Sequence, residues 1–225
     1  MAVKLTSTDV AAIPHGVKVL VYGESGVGKT VLCSTAPTPV ILSAEAGLLS
    51  LRKHRITVIQ ITTIQDLIDA HLWCMNSAEA KSYQTVCLDS LSEIGEVVLS
   101  NAKKLVKDPR QAYGELIEKM GMLVRSFRDL PGKHVYMSAK LEPMKDEMTG
   151  VVKYGPSMPG QKMGPQLPYF FDEVFRLGIN KLTTGETYRF FQTQPDLQYV
   201  AKDRSGALAA VEQPDLSVVF NKILA

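Results

Sequence analysis

Val17-Lys-Val-Leu-Val-Tyr22-Gly23-Glu24-Ser25-Gly26-Val27-Gly28-Lys29-Thr30 is the stretch on which the reading of this chain turns. Its first half, VKVLVY, is short, Val-rich and mostly apolar, as a buried strand is. Its second half fits G-x-x-x-x-G-K-[ST] at every fixed position. Lys29 to Thr35 starts a helix that Pro37 and Pro39 stop. Strand before and helix after is the context the motif needs. The glycines let backbone N–H groups wrap phosphate oxygens, and a helix N-terminus adds partial positive charge. The candidate nucleotide cradle is therefore Gly23, Glu24, Ser25, Gly26, Val27, Gly28, Lys29, Thr30 and Val31. Lys29 would reach the β- and γ-phosphates of ATP, and Thr30 would offer its hydroxyl to Mg2+.

Outward from this loop, apolar strand runs alternate with helical patterns. Pro39–Leu42, Ile56–Ile61, Thr85–Leu88 and His134–Ser138 read as strands. Ile64–Met75 places Ile64, Leu67, Ile68, His71, Leu72 and Met75 at helical spacing, and Leu91–Val106 and Tyr113–Leu130 read as helices separated by Asp108-Pro109. Such alternation predicts an α/β fold with a mostly parallel sheet covered on both faces. Residues 142–168 hold five prolines, four glycines and four methionines and read as a long loop, with a hairpin conceivable at Thr149-Gly150. The tail reads β-rich: Glu173–Ile179, Thr187–Gln194 and Gln198–Ala201, with Thr183-Thr184-Gly185 as a hairpin turn. No repeat or linker divides the chain, so residues 1–225 are expected to form one domain with an N-terminal arm over 1–16.

The 225 residues are 45% hydrophobic and carry a net charge of +2, which excludes a disordered chain and a strongly basic, polyanion-coating one. Cys33, Cys74 and Cys87 make neither a disulfide framework nor a zinc pattern, and a reducing compartment fits them. No signal-peptide pattern opens the chain and no run of eighteen apolar residues occurs, so a soluble, cytoplasmic protein with no membrane partner is expected. His15, His54, His71 and His134 have no metal spacing, and Trp73 reads as core.

A nucleotide loop also needs a carboxylate for the metal. Asp89, closing the strand TVCLD, is the candidate; its alternative is a helix N-cap for Leu91 onward, a role open equally to Ser90. Glu45, in Ser43-Ala-Glu-Ala-Gly-Leu48, resembles the glutamate that activates water after the second core strand of RecA-type ATPases. Glu93 competes with it. Lys202-Asp-Arg204 resembles the Lys-x-Arg segment of RadA and DnaB-type proteins, whose two cations reach a neighbouring subunit's γ-phosphate. The charge that builds on a transferring phosphoryl group calls for such cations. Ser138 and Lys140 stand where RecA-type proteins place a sensor, although those relatives often carry an amide there.

The layout resembles phage-encoded, core-only RecA-like ATPases that act as single-strand annealing proteins. The resemblance covers roughly residues 17–208 and rests on the order of the phosphate loop, Ala44-Glu45-Ala-Gly47, Asp89-Ser90, KHVYMSAK, Pro159-Gly-Gln-Lys162, Phe171-Asp172, Gln192-Thr-Gln-Pro195 and Lys202-Asp-Arg204. It implies a RecA-like core, ATP, Mg2+, single-stranded DNA, a single-strand DNA-binding protein, and a homo-oligomer, ring or filament, with ATP at subunit interfaces. Two DNA-facing loops would fall near 101–113 and 142–168. The first offers Lys103, Lys104, Lys107 and Arg110, cations that equally suit a solvated helix end. The second offers Lys145, Lys153, Lys162 and Tyr154, with Glu142, Asp146 and Glu147 balancing the lysines. A helicase-like motor or loader and a nucleotide-gated protein-binding module are the rival functions, and a small-molecule kinase is the weakest.

Overall fold

The computed structural model describes residues 5, 7, 16–45, 47–145, 148–160 and 162–225. The expected N-terminal arm therefore lies almost wholly outside the described residues. So do Ala46 beside Glu45, Asp146 and Glu147 in the charge balance of the second loop, and Gln161 in the Pro159–Lys162 match.

In chain order the elements are β1 (Lys18–Gly23), α1 (Lys29–Leu32), β2 (Pro39–Ser43), β3 (Thr57–Gln60), α2 (Ile64–Asn76), β4 (Thr85–Asp89), α3 (Leu91–Leu105), α4 (Pro109–Arg128), β5 (His134–Lys145), β6 (Val152–Ser157), α5 (Met163–Gln166), β7 (Glu173–Lys181), β8 (Thr187–Gln192), β9 (Lys202–Asp203), β10 (Val211–Glu212) and α6 (Leu216–Leu224). One sheet runs β10-β8-β7-β1-β5-β4-β2-β3. From β7 to β3 all neighbours are parallel. β8, β9 and β10 add antiparallel pairs at the β7 side, and β6 pairs back on β5. This is the expected α/β core, a mostly parallel sheet flanked by helices, with a β-rich C-terminal part.

Strands buried on both faces need apolar residues on both, and β1 has no exposed position. Leu20, Tyr22, Val40, Leu42, Val86, Leu88 and Met137 pack under α2, α3 and α4. Val19, Val21, Ile41, Cys87, Tyr136 and Phe175 face α1 and α6. α3 fits its layer because Leu91, Ile94, Val98, Leu99 and Ala102 recur at helical spacing. α6, which the sequence reading passed over, has the same signal in Leu216, Val219 and Phe220, with Asp215 as its cap.

In α2, the helix expected over Ile64–Met75, the buried stripe is Leu67, Ala70 and Cys74; Ile68, Leu72 and Met75 lie on its exposed flank. Two expectations change. Residues 142–168 are not one long loop. β5 continues to Lys145 and β6 returns beside it, with Lys140 opposite Ser157 and Lys145 opposite Val152. Pro143 and Pro156 are tolerated because this hairpin projects past the body of the sheet, where alternate N–H groups need no ladder partner. The strand expected at Gln198–Ala201 is a single bridge from Tyr199 to Tyr154, and the paired segment is Lys202–Asp203.

Candidate active site at the C-terminal edge of the sheet

The register of the central strands sets the geometry. β5 lies between β1 and β4, with Ser138 opposite Val21, Lys140 opposite Gly23, and Met137 opposite Leu88. Ser43 of β2 pairs with Asp89. The phosphate loop, the turn bearing Glu45, Asp89 and Lys140 therefore converge at the carboxyl ends of adjacent strands, where open α/β sheets bind ligands.

The loop after Gly23 turns through Gly26 and Gly28, both at positive φ. Gly28, at φ 110°, leads directly into α1 in a conformation costly for any side chain. A cleft of about 410 Å³ opens here, lined by the loop with Glu45, Ser50, Lys140 and Leu141. Lys29 Nζ donates to Gly23 O and Glu24 O at 2.8 Å. Burial pulls its pKa down, while the Asp89 and Glu45 carboxylates oppose that shift. Beneath it the fully buried Tyr136 donates its hydroxyl to Lys29 O at 2.7 Å.

Asp89 is buried, and Ser138 Oγ donates to its Oδ1 at 2.5 Å. Its Oδ2 has no hydrogen-bond partner among the described residues. The N-cap alternative is settled locally: Ser90, not Asp89, accepts from Glu93 N and caps α3. A buried carboxylate oxygen left unpaired costs free energy unless something arrives to use it. It is the kind of donor a divalent cation takes, although Asp89 is not itself among the residues lining the cleft. Thr30 would supply a hydroxyl to the same ion.

Glu45 is half-buried, and its Oε1 accepts from Ser90 Oγ at 2.8 Å. The competing Glu93 is taken up in an ion pair with Lys140 Nζ, which holds the Lys140 pKa up. Lys140 N also donates to Ser92 Oγ at 2.9 Å. Glu45 lines the nucleotide cleft; Glu93 does not.

Lys202 and Arg204 do not join this group. Lys202 pairs with Val174 near the start of β7, and its Nζ donates to Pro168 O at 2.7 Å. Arg204 is exposed and pairs with Asp172 at 2.8 Å. It lines a cleft with Lys18 and Arg128, at the end of β1 opposite the phosphate loop.

Of the proposed DNA contacts, Lys103, Lys104, Lys107, Lys145 and Lys153 are exposed. Arg110, in the first turn of α4 rather than in a loop, and Lys162, just before α5, come together in a cleft of about 540 Å³, with Tyr113, Ile117, Pro159 and Gly160. Lys103 Nζ sits 5.6 Å from the Tyr113 ring centroid. Tyr154 is engaged within the chain: its ring stacks on Tyr199 at 5.4 Å, and Arg176 covers Tyr199 at 3.5 Å. Tyr113, which also lines this cleft, was not among the expected DNA contacts, although it closes the first basic segment.

The family model described as AAA domain matches residues 15–205. A search of curated proteins finds no match. Among solved structures the chain is similar to a KaiC-like protein, PH0186, from the hyperthermophilic archaeon Pyrococcus horikoshii OT3, at 15% identity and a TM-score of 0.46, over 79% of this chain and 78% of that one. Among the described residues no helix is long and apolar enough to cross a membrane.

Proposed function

We propose, from the premise that this chain belongs to the AAA-domain family, that it binds and hydrolyses ATP to act on single-stranded DNA, annealing or pairing strands in phage recombination. Lys29 and the loop amides hold the phosphates. Thr30 and Asp89 would hold Mg2+, which when bound would offset the negative charge of the phosphates. Glu45 orients the attacking water, and its bond from Ser90 keeps the carboxylate aimed into the cleft. The ion pair with Lys140 argues against Glu93 in that role. Ser138, bonded to the Asp89 carboxylate, and Lys140, opposite Gly23 of the phosphate loop, serve as sensors.

Lys202 and Arg204 act on the nucleotide of an adjoining subunit. Their distance from the cleft of their own chain supports this, since a residue that completed its own site would have to stand at the other edge of the sheet. Hydrolysis then depends on assembly into a homo-oligomer.

The observation that carries the DNA reading is the cleft shared by Arg110, Tyr113 and Lys162. It offers cations for phosphates and an aromatic face for a base, which is what single-strand binding requires. A single-strand DNA-binding protein is the expected accessory partner. The test is steady-state ATP turnover of the purified protein with and without single-stranded DNA. Clear stimulation supports the reading. ATP binding with turnover indifferent to DNA rejects it in favour of a nucleotide-gated module for a protein partner.

A further inference from the structure

We propose that Arg189 of β8 is a positioning residue of the phosphate loop, clamping it from the C-terminal hairpin of the same chain. The inference rests on the reading of that loop as a nucleotide site. β7 runs past the end of β1: Arg176 pairs with Tyr22, and a Cβ on Gly23 would lie 2.6 Å from Leu177 O. The next residues of β7 carry β8 with them, and Arg189 pairs with Ile179, in the part of the hairpin beyond that edge. From there Arg189 Nε donates to Val27 O at 2.6 Å. The side chain lies flat against the next residue. A Cβ on Gly28 would come within 3.2 Å of Nε and 3.5 Å of Cδ.

The physical role follows from the loop's composition. Gly26 and Gly28 sit at positive φ, and a glycine-rich loop loses much conformational freedom when it is ordered around a ligand. A strand-borne donor that holds the Val27–Gly28 peptide in place removes part of that cost before the nucleotide arrives, so it lowers Kd. β8 is anchored by its pairing with β7 from Thr187 to Gln192, and with β10 at Phe191 and Gln192. The remaining N–H groups of the guanidinium have no hydrogen-bond partner among the described residues, so its described bond is the one to the loop. This cis clamp is separate from the trans cations Lys202 and Arg204, and the sequence holds no motif for it.

The experiment is titration of wild type, Arg189→Ala, Arg189→Lys and Lys29→Ala with a fluorescent ATP analogue, with kcat, KM and thermal melts on the same preparations. The expected result for Arg189→Ala is a roughly tenfold rise in Kd and KM. Its kcat stays within about twofold and its ligand-free melting temperature does not change, because a surface hydrogen bond to a loop contributes little to global stability. Arg189→Lys, which keeps one donor and the charge, recovers most of the loss. Unchanged Kd and KM in Arg189→Ala overturn the proposal. So does a loss of affinity that comes with a lower melting temperature and is not rescued by lysine, which marks a merely structural residue. Failure of the nucleotide reading looks different: wild type and Lys29→Ala then bind the analogue equally poorly, whatever stands at position 189.

Discussion

Ser138→Ala tests the core of the site with a change of one oxygen. Ser138 is fully buried, and its hydroxyl gives the Asp89 carboxylate the one side-chain hydrogen bond the described residues provide. Alanine leaves the methyl-sized Cβ in place, so packing is conserved and cavity terms are small. What is lost is a hydrogen bond to a charged group, worth about 1.5–3 kcal/mol. The other oxygen of Asp89 has no partner among the described residues to compensate. For a chain of this length 1 kcal/mol moves the melting temperature by about 2–4 °C, so a fall of roughly 3–12 °C is expected without ligand.

Asp89→Asn supplies the control, because asparagine keeps an acceptor for Ser138 but not the charge. In that background Ser138→Ala should cost only about 0.5–1.5 kcal/mol, leaving a coupling on the order of 1 kcal/mol in the double-mutant cycle. The assay is urea or thermal unfolding of the four proteins, repeated with Mg2+ and ATP. On the proposed reading the gap between Ser138→Ala and wild type narrows when the metal is added, since the carboxylate then regains a partner. Equal melting temperatures for wild type and Ser138→Ala without ligand would refute the argument that this bond holds a buried charge in place.

Arg204→Ala should leave nucleotide affinity near that of wild type and change stability by less than about 0.5 kcal/mol, because its pair with Asp172 is exposed. Turnover should fall by roughly a hundredfold or more and return in part on mixing with Lys29→Ala, whose intact Arg204 serves the mutant's loop; no recovery on mixing sinks the trans assignment. Glu173, opposite Asp203 in the β7–β9 pair, is buried and pushed up to about 7, first by burial and then by the Asp203 charge. The folded chain keeps a proton that the unfolded chain has released, so this group's stabilisation is full below about pH 4.5 and is lost as pH rises through 7. Glu173→Gln should flatten the fall in melting temperature between pH 5.5 and 8, by about 1–2 kcal/mol after solvent screening; parallel curves for the two proteins would contradict it.

Much of the fold was legible because its signals are local. VKVLVY, PVIL and TVCL are apolar on both faces, and such runs have few homes outside a covered parallel sheet. The hairpin of β5 and β6 was legible only at its turn, Thr149-Gly150, because the prolines and glycines of the segment argue for loop, and only the pairing partner makes each arm a strand. Which flank of α2 would be buried was not legible for a related reason. Period alone names a helix, but which of two adjoining stripes is buried depends on where the sheet lies.

The site divides along the same line. Glycine spacing, Lys29 and Thr30 act within eight consecutive residues, so the motif carries them whole. Asp89 and Glu45 stood at strand ends and could be named from position. What tells Glu45 from Glu93 is a pair of contacts from elsewhere, Ser90 on one and Lys140 on the other. Arg189 meets Val27 from 162 residues away, through the register of an antiparallel hairpin, and no pattern around it announces the meeting. A carboxylate that must aim and a loop that must hold still both need partners from across the sheet. Those partners are chosen by register, which a linear reading reaches only when the strand order is already known.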